Sequence, residues 1–339
     1  MIRTLTTSLL VFFFIGLQAQ ISDFSDVSFH KADSIANAYL GANLKSVPRL
    51  SYQLTNDLDT EVEKVRAIFM WIANNIINDD GLYLTNKRKR KLLKDDPIKL
   101  AEWNAEVKAK TIDILLRKKK TVCTGYAYLM AKMCKYAGIK SKIINGYSRT
   151  GGSEDEETKT PNHSWNAVLI NKKWYLCDPT WASGIFNPNT NLFEFVFKKG
   201  YFLADPKLFV QNHYPLDPQW TLIKENNPSY NEFLESPLLY TSAFKYATLS
   251  QLPEKMYNTV TKRKKILFQI DRLNNEQMES VSILVSGKRK DETFFPENLV
   301  IDDKKIQFDY EFLFRGYYDV HVMVDDEPVM TYVFHVTGE

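Results

Sequence analysis

At 339 residues, with 44% apolar and 25% charged side chains and a formal net charge of +3, the chain has the make-up of an ordinary globular protein. The charge balance singles out neither nucleic acid nor a membrane surface as a partner. Three cysteines is an odd number, which excludes a disulfide scaffold as the organising idea and leaves at least one thiol over.

Residues 1–19 read as a secretory signal: Arg3 is a positive start, residues 9–17 are an apolar run, and Ala19 is a small residue at the cleavage point. The run is too short to span a bilayer. The expectation is a secreted or periplasmic protein with no stable membrane insertion after cleavage.

Residues 32–40 can form a short helix, stopped by Pro48. Thr60-Glu61-Val62-Glu63 fits a capping box. Behind it Val62, Val65, Phe69, Ile72 and Ile76 recur at helical spacing, with Trp71 alongside. This predicts a core helix ending near Asn78. Two basic runs, 87–94 and 117–120, read as solvated faces. They carry no interleaved aromatics, which argues against nucleic acid.

An apolar helix is predicted over 123–137, with Gly138 in the position of a C′ glycine. Cys123, Ala127, Met130 and Cys134 form one stripe. Cys123 is at its N-terminal end, where the helix dipole and free N–H groups favour a thiolate. Residues 142–147 read as a strand, and 150–160 as a polar surface loop containing Glu154, Asp155, Glu156 and Glu157.

A β-hairpin follows, with 171–172 as a two-residue turn. Trp165 is then opposite Asp178, and His163 opposite Thr180. His163, Trp165, Ala167 and Leu169 share a face with Trp174, Leu176 and Asp178, which makes His163 and Asp178 diagonal neighbours. A slip of one residue would separate them. Cys177 points to the opposite face, and Cys134 to the side of Cys123. A Cys134–Cys177 disulfide is therefore disfavoured by direction, and both read as small buried hydrophobes.

Residues 192–197 read as a strand and the region near Pro206 as a short helix. His213 reads as a structural, hydrogen-bonded histidine. Residues 226–237 read as a linker. Beyond them, short alternating runs predict a β-sandwich of about seven strands, with His321 and His335 structural.

Cys123, His163 and Asp178 are the parts of an activated thiol: nucleophile, proton carrier and orienting acid. Backbone N–H groups near Val122 and Cys123 are candidates for an oxyanion hole. The reaction class is acyl transfer through a thioester, with water or an amine as acceptor. Nothing asks for a metal or cofactor, since there is no HExxH, CxxC or acidic calcium loop.

Residues 122–147 (VCTGYAYLMAKMCKYAGIKSKIINGY) and 162–184 (NHSWNAVLINKKWYLCDPTWASG) resemble the transglutaminase-like superfamily. Residues 63–76 (EKVRAIFMWIANNI) and 201–215 (YFLADPKLFVQNHYP), with Trp220, are similar to its kyphoscoliosis-peptidase-like branch. The resemblance covers roughly residues 57–220. It implies a papain-like α+β core, with the cysteine helix packed on an antiparallel sheet, and Cys123, His163 and Asp178 as nucleophile, base and orienting acid. It implies a peptidase or amidase acting on protein or peptide. The calcium-binding residues of the animal enzymes have no match. The stretch 84–110 is longer than expected, which leaves the upstream oxyanion donor open between Trp103 and Tyr83. The expected division is a signal at 1–19, a transglutaminase-like domain at 20–230 and an Ig-like β-sandwich at 237–339. A non-catalytic protein-binding module that keeps the fold is the competing reading. An NlpC/P60-like hydrolase is a third, whose motif surroundings are absent.

Overall fold

A computed structural model describes residues 21–149, 160–187, 189–246, 248–273, 276–287 and 290–338. The leader at 1–19 and the acidic loop at 154–157 lie outside the described residues.

Three helices come first: α1 (His30–Ala38), α2 (Val47–Thr55) and α3 (Glu61–Asn75). The predicted core helix is α3. Its capping box is formed, with Glu63 N–H donating to Thr60 Oγ1 at 3.3 Å and Thr60 N–H to Glu63 Oε2 at 3.1 Å. Val65, Phe69, Trp71, Ile72 and Ile76 are fully buried. The helix ends at Asn75, before the predicted point, because the chain turns extended. There β1 (Ile77–Asn78) pairs in parallel with β2 (Lys120–Thr121). The long stretch between them is a pair of helices, α4 (Asp80–Leu92) and α5 (Pro97–Lys118), capped by the side chains of Asp79 and Asp96.

The chain passes from β2 directly into α6 (Cys123–Tyr136). Gly138 follows it at φ 77°, as the C′ position requires. Helix α6 packs on a four-stranded antiparallel sheet of order β5-β4-β3-β8: β3 (Ser141–Ser148), β4 (His163–Ile170), β5 (Lys173–Cys177) and β8 (His213–Pro215). The hairpin register is the predicted one, from Asn166 opposite Cys177 to Ile170 opposite Lys173. Asn171 and Lys172 both have positive φ (49° and 66°), as a type I′ turn demands. Strand β5 stops at Cys177, and Asp178 is the N-cap of α7 (Pro179–Ser183). A small hairpin, β6 (Gly184–Asn187) with β7 (Leu192–Phe195), and α8 (Pro206–Phe209) lead to β8.

One directional expectation is corrected. Asn166 Nδ2 donates to Ala127 O at 3.0 Å, so Asn166 faces α6. Its cross-strand partner Cys177 shares that face, toward the helix that carries Cys134. Helix α6 covers the Asn166 side of β4 rather than the Trp165 side, so the two thiols do not point apart. Both are free and fully buried.

The predicted linker is not loose. It forms α9 (Tyr230–Glu235) with its own capping box from Ser229 and Glu232. Phe233 packs against Val210 and Tyr214, and the Arg149 guanidinium donates to the Phe233 and Ser236 carbonyls. Then come β9 (Leu238–Leu239) and α10 (Thr241–Tyr246).

The remaining strands form two sheets. One has the order β10 (Thr248–Leu252), β12 (Lys265–Arg272), β16 (Lys305–Glu311), β15 (Val300–Ile301). The other runs β11 (Tyr257–Thr261), β18 (Glu327–Thr337), β17 (Gly316–Val324), β13 (Val281–Gly287), β14 (Asp291–Phe294), with β9 also on β18. Phe268 of β12 stacks on Phe308 and meets Tyr332 of the facing sheet at 5.4 Å. Ten strands, β9 to β18, replace the seven predicted among the described residues. The additions are the short edge pieces β9, β14 and β15, too brief to show an alternating pattern. His321 is hydrogen-bonded to Thr331 at 2.7 Å and His335 stacks on Tyr317, both structural as predicted.

Candidate active site

Cys123 is the first residue of α6 and is half-buried. Its N-cap, Val122, has no polar side chain, and the first turn has no acid. The helix N–H groups and dipole are thus left for a thiolate or a substrate oxygen. Gly125 lets this turn close on β2, since a Cβ there would lie 2.8 Å from Thr121 Cβ.

His163 begins β4, opposite Gly146 of β3. A Cβ on Gly146 would meet Trp165 Cη2 at 2.5 Å and Pro215 Cα at 2.9 Å, so only glycine lets β3 run this close beneath the site. Asp178 is fully buried, and its carboxylate only accepts. Its Oδ1 takes the N–H groups of Thr180 (2.8 Å) and Trp181 (3.3 Å) at the start of α7. Its Oδ2 is 2.7 Å from His163 Nε2. The remaining ring nitrogen of His163, Nδ1, is left for the hydrogen bond to the Cys123 thiol. The three residues singled out in the sequence are therefore brought together.

Electrostatics follow from this geometry. Burial pushes the Cys123 thiol up, but the hydrogen bond and charge of His163, with the Ser164 N–H, bring it below its ordinary value. Burial pulls the His163 imidazole down, yet the charge and hydrogen bond of Asp178, followed by Cys123, raise it to about 10. Burial pushes the Asp178 carboxyl up. The His163 charge and the hydrogen bonds from His163 and His213 hold it well below the usual carboxylate range.

His213, read from the sequence as a structural histidine, belongs to the site. Its Nε2 lies 3.0 Å from the same Asp178 Oδ2. The prediction of a hydrogen-bonded histidine holds, but the partner is the site itself. The available signal was its place in the 201–215 segment that carries the family resemblance. His163, Asp178 and His213 have the composition of a metal cluster. Both Nε2 atoms nevertheless converge on one carboxylate oxygen at 2.7 and 3.0 Å, the spacing of donors on an anion.

Cys123 and His163 open onto a cleft of about 320 Å³, also lined by Asn78, Tyr83, Lys198 and residues 239–241. Tyr83 is thus at the site. Trp103 is not: its Nε1 donates to Asn86 Oδ1 at 2.9 Å and ties α5 to α4. Arg90, within the basic run read as solvated, donates from Nη2 to Pro161 O at 2.9 Å, just ahead of β4. The charge of Cys123 acts on Arg90, against the pull of burial that lowers it. A larger groove of about 640 Å³, lined by Tyr128, Lys132, Lys135 and Trp174, contains none of these residues.

A cysteine on a helix N-terminus, set against a histidine on an antiparallel sheet and an acid just past one of its strands, defines a papain-like α+β core. Residues 48–179 match the transglutaminase-like superfamily, and this part of the chain is a transglutaminase-like domain. The chain is similar to the kyphoscoliosis peptidases of mouse and human, each 31% identical over 236 residues, 68% of this chain and 32% of theirs. It is also similar to hillarin of Drosophila melanogaster, 27% identical over 234 residues, 65% of this chain and 26% of that protein. The chain spans about a third of the length of the curated relatives it matches. No helix among the described residues is long and apolar enough to cross a membrane.

Proposed function

We propose that Cys123, His163 and Asp178 form the triad of an acyl-transfer enzyme, acting on protein or peptide through a thioester. One observation carries the reading. The His163 ring is held at Nε2 by Asp178 at 2.7 Å, which leaves Nδ1 for the Cys123 thiol that begins a helix and shares a cleft with His163. In the first step the Cys123 thiolate attacks the carbonyl carbon. The C–N bond breaks, and the His163 imidazolium gives its Nδ1 proton to the leaving amine. In the second, water or an amine attacks the thioester, His163 takes the proton, and the thiolate leaves. Asp178 stays ionised throughout. The Cys123 N–H supports the oxyanion, with Asn78 and Tyr83 as the side chains lining that wall. The name peptidase on two of the relatives supports hydrolysis. The apolar run at 9–17 supports export.

The test is to incubate the protein with a glutamine-bearing peptide and an amine donor and to read products by mass. Cleaved or deamidated peptide, lost in Cys123→Ala, is expected. An amine adduct, also lost in that variant, would put transfer to amines ahead of hydrolysis. Equal turnover by wild type and Cys123→Ala would remove Cys123 as the nucleophile, and none by either would favour a binding module that keeps the fold.

A further inference from the structure

We infer that His213 is a positioning residue of this site: a neutral imidazole that donates to Asp178 Oδ2 and fixes the oxygen that holds His163. The inference rests on the triad reading above. His213 enters from β8, paired with Ser148 of β3, and is 1% exposed. Phe209 stacks on it at 4.0 Å, and Trp181 and Trp165 close around it at 4.4 and 5.2 Å. The ionisable groups facing it are Asp178, His163 (rings 5.2 Å apart) and the Tyr201 phenol.

In that apolar enclosure one carboxylate does not support two imidazoliums. His163 is bonded to both the thiol and Asp178 and carries the charge. Burial, outweighing Asp178, takes His213 down to about 4, in agreement. A neutral ring has one N–H, and a carboxylate only accepts, so the proton is on Nε2 and Nδ1 is a bare acceptor. Nδ1 is 2.5 Å from the Asn212 Oδ1 position, and two acceptors do not hold that distance. A half-turn of the Asn212 amide puts Nδ2 there instead. It also gives a partner to Nδ2, which is buried and otherwise unpaired. Asn212 thereby fixes the tautomer of His213, and His213 fixes Asp178. Without His213, the fully buried Oδ2 would have His163 as its one donor. The carboxylate would ionise less readily and its Oδ2 would be held less firmly. Either change weakens the imidazolium and, through it, the thiolate.

The test compares His213→Leu, which keeps bulk and removes the donor, with His213→Gln, whose amide restores one. Two quantities are read: the pH midpoint of Cys123 alkylation by iodoacetamide, followed by mass, and turnover of the peptide assay. His213→Leu is expected to raise the midpoint by about one pH unit and to lower turnover about tenfold. His213→Gln is expected to recover most of both. Should His213→Leu fail to fold, Asn212→Ala leaves every ring in place and is expected to shift the midpoint in the same direction by less. A folded His213→Leu with wild-type midpoint and turnover overturns the inference. So does a folded His213→Gln that is as impaired as His213→Leu. If wild-type Cys123 labels no faster at neutral pH than Cys134 and Cys177, the triad reading itself has failed, a distinguishable result.

Discussion

A carboxylate with no exposed surface stays ionised only through its donors, and Asp178 has two backbone N–H groups and two imidazoles. Asp178→Asn keeps a hydrogen bond to His163 and loses the charge. In a serine triad the matching change cost about four orders of magnitude. A thiolate–imidazolium pair is ionised before substrate arrives, so a smaller loss, roughly one to three orders, is expected here. Steady-state turnover of Asp178→Asn checks it, and unchanged turnover would remove Asp178 from the triad. The same shifts set a stability window. Asp178 is depressed from 3.8, so its contribution is complete above that pH and is lost as pH falls through its folded value. His163 is raised from 6.5, so its contribution is complete below 6.5 and is lost as pH rises toward about 10. Denaturant melts from pH 3 to 10 should show both contributions present between about pH 4 and 6.5. In His163→Gln the alkaline decline should flatten, and an unchanged decline would assign it to other groups.

The elements that carry the site were legible where their signals were local. The Thr60 box and the apolar spacing from Val62 to Ile76 announced α3. The turn at 171–172 fixed the hairpin register, and with it the approach of His163 to Asp178. What lay outside the sequence was set by long-range packing. Beyond the resemblance of the 201–215 segment, no local pattern near His213 says that β8 pairs with β3 and delivers its ring to Asp178. The side of β4 that α6 covers is equally invisible to alternation, which explains the misplaced direction of Cys134. Two substitutions test the element scale. Thr60→Ala removes one half of the capping box at an exposed helix start and should cost about 1 kcal/mol in denaturant melts, with turnover unchanged. Gly125→Ala should reduce turnover and stability together, because its methyl would displace Thr121 and tilt the first turn of α6. A Gly125→Ala protein with wild-type kinetics would show that the turn has slack.

At the scale of the molecule, the sandwich and the transglutaminase-like core touch through the β9–α10 segment. Tyr201 stacks on Phe244 at 4.4 Å, and a Cβ on Gly200 would meet the Phe244 backbone at 2.7 Å. The same segment supplies residues 239–241 of the cleft wall. We propose that the sandwich folds on its own but positions this wall only when docked. Phe244→Ala should then cost about 3–5 kcal/mol if the two parts melt together. A Phe244→Ala protein with an unaltered melt would show that the contact is idle. All of this serves one claim, that Cys123 is a thiolate paired with His163 at neutral pH. The direct measurement is the rate of iodoacetamide alkylation of each cysteine from pH 4 to 10, resolved by mass. The account predicts that Cys123 alone reacts in the folded protein, that it is already reactive below pH 7, and that His163→Ala abolishes this neutral-pH reactivity. Cys123 labelling that begins only near pH 9, or that is indifferent to His163→Ala, would contradict it.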